Sequence, residues 1–194
     1  MLRSKRRMKK IRRVLTRRQP GLTVVMENIH DPHNVSAVLR TCDAVGVMQV
    51  ELLYTKEKLP RIGKKSSSSA NKWLERRRHA SVDDCYRTLR EAGFRVYATH
   101  LGTDAVSLYD LDLTGKVALV FGNEHRGVSE EAATKADANF QIPMIGMIQS
   151  LNVSVAAAVS LYEALRQRLA CGAIDRCGFS PEELETLYED WIQR

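Results

Sequence analysis

The sequence predicts an α/β protein with a mostly parallel sheet and helices on both faces. Three observations carry that prediction: short apolar runs suited to buried strands, helical patterns with start and stop signals between them, and a regular alternation of the two. Pro20-Gly21 punctuates a basic N-terminal segment, and Leu22 to Met26 reads as the first buried strand. Asn34 is placed to cap a helix with Val35, Val38, Leu39 and Cys42 on one face. Gly46 stops that helix before a strand over Val47 to Leu53. Residues Lys56 to Ser69 form a loop rich in Lys, Ser and Pro. Leu74 to His79 suits a short strand, and Ser81 with Asp84 opens a helix, in the manner of a capping box, that Gly93 ends. Phe94 to Thr99 and Val117 to Phe121 supply further strands, the second followed by a glycine-bounded turn and a short helix after Ser129. Val153 to Leu169 is the longest helical pattern, apolar almost all round at its start and basic at its end. A last helix opens at Ser180-Pro181-Glu182-Glu183, with Ser180 as cap and Pro181 at the first helical position.

With 194 residues of which 44% are hydrophobic, the chain suits one domain with appendages. No apolar run approaches the roughly 18 residues that span a bilayer, and the basic N-terminus does not suit a secretory signal. A soluble, cytoplasmic protein without membrane contact is expected. The four cysteines, Cys42, Cys85, Cys171 and Cys177, form no C-x-x-C pair and lack zinc-ligand spacing to histidine, so free thiols are expected. His30 and His33 flank Pro32 and read as a polar turn; no metal is expected.

Net charge is +7, concentrated in one place. Leu2 to Arg18 holds ten basic residues and no acidic one, so the remainder carries 30 − 10 = 20 basic against 23 acidic. Such an arm seeks a polyanion, because each cation that neutralises a phosphate releases condensed counterions. Met8, Ile11 and Leu15 recur at helical spacing, a stripe that packs while the charges stay exposed and that is too thin to anchor in lipid.

Ligands of open parallel sheets bind at the carboxyl ends of strands. That rule selects residues 28 to 40, 121 to 128 and 142 to 152. The turn Gly122-Asn123-Glu124-His125-Arg126-Gly127 lacks the Lys-Ser/Thr of a phosphate loop and is not G-x-G-x-x-G, which argues against a nucleoside triphosphatase or a dinucleotide enzyme. Its Glu-His-Arg content is costly at a ligand site unless used or solvated. The segment Ile142 to Asn152 is an apolar loop with interspersed polar residues, suited to burial against a ligand or a second subunit. Small residues at Ala156, Ala157, Ala158 and Ser160 allow another backbone close by, and Ser150 or Asn152 could serve only as a helix cap.

Asn28 to Val47, with Asn34 and Arg40, resembles motif 1 of the SPOUT superfamily of RNA 2'-O-methyltransferases. Phe121-Gly122-Asn123-Glu124 through Gly127 resembles motif 2, and Ile142 to Ala158, with Ser150-Leu151-Asn152-Val153-Ser154, resembles motif 3. The likeness runs from about Arg12 to Arg176. It is strongest to members that methylate guanosine 18 in the D-loop of tRNA, including Arg17-Arg18-Gln19-Pro20 and Arg166-Gln167-Arg168.

The resemblance implies a Rossmann-like sheet whose C-terminal part forms a deep trefoil knot, and a homodimer. It divides the chain into a basic helical arm (1–19), a methyltransferase domain (20–172) and a C-terminal helical extension (173–194). S-adenosylmethionine is expected to be held by backbone groups around Thr99, Leu101, Gly122, Ile142 and Leu151. Asn34, Arg40, Glu124, Ser150 and Asn152 match the catalytic set. Arg40 is proposed in the family to activate the ribose hydroxyl, which is awkward for a guanidinium with a pKa above 12. Orienting a phosphate or stabilising a developing alkoxide suits it better, with Ser150 and Asn152 positioning. RNA contacts are expected from Arg6, Arg7, Arg12, Arg13, Lys64, Arg166, Arg168 and Arg176. Where relatives usually carry glycine near Ser67 to Ser69, this chain has Ser66 to Ala70. The implied function is 2'-O-methylation of tRNA; ribosomal RNA as substrate and a silent RNA-binding protein are the alternatives. A short arm in place of a separate RNA-binding domain favours tRNA.

Overall fold

In the computed structural model, which describes residues 4–60 and 70–194, the apolar runs become parallel strands. These are β1 (Leu22–Glu27), β2 (Gln49–Leu53), β3 (Glu75–His79), β4 (Arg95–Thr99), β5 (Val106–Ser107), β6 (Val117–Phe121) and β7 (Ala138–Gln141). They form a 7-stranded sheet in the order β3-β2-β1-β6-β4-β7-β5, with parallel pairing throughout. The helices are α1 (Lys5–Leu15), α2 (Pro32–Val45), α3 (Val82–Glu91), α4 (Glu130–Lys135), α5 (Val153–Ala170) and α6 (Pro181–Gln193).

Strand alternation sends Val24 and Met26 to one face, where Val35, Leu39 and Leu161 of α2 and α5 cover them. Val25, Val96 and Val120 face the other way, under Cys85 and Leu89 of α3 and Ala132 of α4. A parallel sheet is stable only when both faces are buried in this way. Among the cysteines, Cys42 and Cys85 are buried and Cys171 and Cys177 exposed, all free; burial pushes the Cys42 thiol up to about 12.

The N-terminal helix is not a loose arm. Its Ile11 and Leu15 pack with Met48 and Trp191, and the ring of Trp73 lies 4.9 Å from that of Trp191. Arg12 grips Glu185 of α6 at 2.8 Å and lies 4.5 Å from the Tyr188 ring. Arg18 is buried, donating to the Val47 carbonyl at 2.7 Å and pairing with Asp43.

Three features differ from the sequence-based expectation. Asp31, not Asn34, caps α2, because Pro32 takes the first helical position and Asp31 accepts from the His33 N–H at 2.8 Å. Strands β5 and β7 were not expected; both are short and polar. Arg168 is not an RNA contact on the surface: it is 5% exposed, and its guanidinium donates to carbonyls of Leu113 (2.9 Å), Gly21 (2.9 Å) and Gly115 and to Gln19 Oε1. Lys64 and Ser66–Ser69 lie outside the described residues.

Candidate active site

The sheet register places the ends of β1, β6, β4 and β7 side by side, and the segments that leave them converge. Those that follow β4, β6 and β7 border a cleft of about 650 Å³. Thr99, Leu101, Gly122, Ile142 and Leu151 all line it, as do Glu124, Ser150 and Asn152.

The turn after β6 is closed by paired backbone bonds, Asn123 N–H to Gly127 O at 2.9 Å and Gly127 N–H to Asn123 O at 2.8 Å. A side chain at position 122 would put its Cβ 2.1 Å from the Gly127 backbone, and Gly127 itself has φ +67°. Glycine is therefore required at 122 and favoured at 127. The closed turn aims Glu124 toward the start of α2.

There the carboxylate collects three donors: His30 N–H at 2.9 Å, Asp31 N–H at 3.0 Å and Asn34 Nδ2 at 2.9 Å. Burial would raise its pKa; the hydrogen bonds from Asn34 and from the backbone of His30 and Asp31 outweigh that, and the carboxyl is held below its usual range. Asn34 Oδ1 in turn accepts from Asn152 Nδ2 at 3.0 Å. Asn152 caps α5, its Oδ1 accepting from the Ser154 N–H at 2.8 Å and the Ser154 hydroxyl at 2.6 Å. One hydrogen-bonded chain, Ser154 to Asn152 to Asn34 to Glu124, ties together segments from β1, β6 and β7.

Ser150 is exposed at the cleft, and among the described residues its hydroxyl has no partner. Arg40 is exposed on α2, without a hydrogen bond or ion pair among the described residues, and it does not line the cleft. The single chain thus brings Asn34, Glu124, Ser150 and Asn152 together and leaves Arg40 apart. Of the basic residues, Arg6, Arg7, Arg13 and Arg176 are exposed. Arg166 is held by both oxygens of Glu163 at 2.8 Å while remaining largely exposed.

Two supporting residues escaped sequence reasoning. Asn28 adopts φ +51°, and its Oδ1 accepts from the N–H groups of Thr55, Lys56 and Glu57 at 3.0–3.1 Å. Asn123 donates to the Asn28 carbonyl at 2.9 Å, fastening the β6 turn to the end of β1. A left-handed asparagine at a strand end is the kind of local strain that surrounding structure must hold in place. At the rim, Arg126 reaches Glu57 at 2.6 Å.

Residues 21–162, which hold this sheet and the segments gathered at its carboxyl edge, match the SpoU rRNA Methylase family, and the chain belongs to that family. It is 48% identical over 192 residues to a tRNA (guanosine(18)-2'-O)-methyltransferase of Thermus thermophilus, covering 99% of this chain and 98% of that protein. The crystal structure of a tRNA-modifying enzyme of the TrmH/SpoU type from A. aeolicus superposes with a TM-score of 0.91 at 38% identity, covering 97% of this chain and 95% of that one. A SpoU methyltransferase of Streptomyces viridochromogenes, solved with AdoMet, gives a TM-score of 0.69 at 28% identity, covering 79% and 60%.

Proposed function

We propose that this chain transfers a methyl group from S-adenosylmethionine to the 2'-oxygen of a tRNA ribose, guanosine 18 of the D-loop. The observation that carries this is the Ser154–Asn152–Asn34–Glu124 chain at the mouth of a cleft assembled from three loops. The name of a relative matched over nearly the whole length supports the substrate.

The residues present fit the donor: Leu101, Phe121, Phe140, Ile142 and Leu151 give the cleft apolar walls for a flat base, with loop peptide groups at its lip. When bound, S-adenosylmethionine supplies an electrophilic methyl group and leaves as a neutral thioether. Glu124 is a positioning residue, because a carboxylate already accepting from three donors and held ionised is a poor proton acceptor. Asn34 and Asn152 transmit that order to α5. Ser150, exposed and unpartnered among the described residues, is the group that meets the ribose. Arg40 is assigned to the phosphate beside the target or to charge developing on the 2'-oxygen; a guanidinium donates there and does not take the proton, which passes from the 2'-hydroxyl to solvent water as the oxygen–methyl bond forms and the methyl–sulfur bond breaks.

Assembly as a homodimer belongs to the same proposal. Ile145 is 97% and Met147 99% exposed in the loop before α5, and Val155, Tyr162 and Leu169, seven apart on α5, continue the exposed apolar surface. A second copy covering this stripe would complete the site that Arg40 alone does not reach. The trefoil threading is part of the same proposal and rests on membership of the family. Division into an arm (1–19), a methyltransferase domain (20–172) and an extension (173–194) is retained, with α1 docked on α6. Among the described residues no helix is long and apolar enough to cross a membrane, and no group of three or more His, Cys, Asp or Glu is placed to share a metal ion. Arg6, Arg7, Arg13, Arg166 and Arg176 are assigned to the RNA.

The test incubates purified protein with labelled S-adenosylmethionine and unmodified tRNA or ribosomal RNA and maps the product. Label at the 2'-oxygen of guanosine 18 is expected. Label confined to ribosomal RNA overturns the tRNA assignment, and none in either removes methyl transfer altogether. Sedimentation that finds only single chains at working concentration overturns the dimer.

A further inference from the structure

Arginines of the body are commonly held by carboxylates: Arg87 by Asp84, Arg90 by Asp137, Arg126 by Glu57, Arg166 by Glu163 and Arg194 by Asp190. That is the expected outcome where acidic residues outnumber basic ones, 23 to 20 beyond the arm. Arg76 and Arg78, like Arg40, are exceptions, and they lie two apart on one strand. Both are exposed on β3, the edge strand, and among the described residues neither has a hydrogen bond or an ion pair.

Register fixes where they point. Arg76 lies beside Val50 and Arg78 beside Leu52, and both of those neighbours belong to the core under α2. Arg77, between them, faces the opposite side and is held by Gln49 Oε1 at 3.3 Å and by Glu51. The two free arginines are therefore next to each other on one face, roughly 6.6 Å apart along the strand. That lies within the Debye length of about 8 Å at physiological salt, so their mutual repulsion is relieved by a bound anion.

Their surroundings extend the charge. The turn Ala70–Lys72 leads into β3 and packs on α2, with the Lys72 side chain exposed. Trp73, next in sequence, lies against Trp191 in the cluster that roots α1. Asp190, the acid beside this junction, is already neutralised by Arg194. Exposed cations therefore stand on both elements that meet at the tryptophan junction, Arg6, Arg7 and Arg13 on α1 and Lys72 just before β3, in a chain whose body is net acidic.

We propose that Arg76 and Arg78, with Lys72, form a phosphate-binding rim that extends the arm's grip on the backbone of a structured RNA. This rests on the function proposed above, the RNA being the tRNA substrate. Contacts of this kind position the substrate without reading its sequence.

The test measures tRNA affinity against salt for the wild-type protein and for the double variant Arg76→Gln/Arg78→Gln. Each phosphate contact contributes about 0.7–0.9 to the slope of log affinity on log salt, so the double variant should lose about 1.5 in slope and bind about tenfold more weakly near physiological salt. KM for tRNA should rise in step while kcat, donor affinity and thermal midpoint hold, and Arg77→Gln should leave the slope unchanged. A folded double variant with the wild-type slope overturns the proposal, leaving the arginines as guards of an open strand edge or as a site for an acidic protein. Wild-type protein that neither binds nor methylates tRNA would overturn the function and this rim together; wild-type activity with an unchanged slope overturns the rim alone.

Discussion

Asn152 donates from its Nδ2 to the Oδ1 of Asn34 at 3.0 Å, a bond that spans 118 residues of sequence. Each asparagine has a second task, Asn34 toward Glu124 and Asn152 toward the first turn of α5. The bond therefore couples the order of two helix starts.

Asn34→Ala removes one donor from Glu124 and the acceptor for Asn152. A stability loss of about 1–3 kcal/mol is expected from the orphaned polar groups. Misplacement of the reacting groups by about 1 Å lowers the transfer rate on the order of a hundredfold. Single-turnover methylation alongside denaturant unfolding separates the two effects; an unchanged rate would remove the chain from the mechanism.

Glu124 has a folded pKa below its ordinary value of 4.5, so its contribution to stability is fully present above that value. It is lost as pH falls from 4.5 through the lower folded value. Glu124→Gln, which cannot accept equally at both positions, should be less stable at neutral pH and should flatten the acid limb of a stability–pH curve. An acid limb identical to that of the wild type would contradict the three-donor assignment.

Arg168→Ala leaves carbonyls of Leu113, Gly21 and Gly115 without their donor. The expected cost is about 3 kcal/mol of stability, because buried acceptors lose a charged partner. The salt slope of tRNA binding should be unchanged in the folded fraction. Arg166→Gln, on the exposed side of the same helix, should do the reverse, lowering affinity with little change in thermal midpoint.

Arm charges are separable in the same way. Replacing Arg6, Arg7 and Arg13 together by Gln should lower the salt slope by about 2–3. Arg12→Gln should lower it much less, since Arg12 is held by Glu185 and Tyr188. Point substitution is preferable to truncation here, because removing α1 would uncover Trp191.

Most strands were legible because burial on both faces leaves largely apolar runs, as at Leu22–Met26 and Val117–Phe121. Strand β7, Ala-Asn-Phe-Gln, carries only one fully buried side chain, Phe140, and so left no such run. The cap of α2 lies three positions before Asn34, and its visible signal is Pro32 at the first helical position, which points to Asp31. Burial of Arg168 had a visible signal: it continues the helical face of Ala157, Leu161 and Ala164. The basic end of that pattern suggested solvent, but the spacing pointed inward. The conformation of Asn28 had none, because its need arises from a loop and a turn that meet only in three dimensions.

The chain contains two tryptophans, and both sit where the N-terminal helix, the edge of the sheet and the last helix join. Intrinsic fluorescence is consequently a local probe: it registers events at that junction and is nearly blind to the nucleotide-sized cleft at the far ends of the strands. Emission that shifts on mixing with polyanion but stays constant on adding the small donor would let the two loading steps be timed separately, with no dye attached.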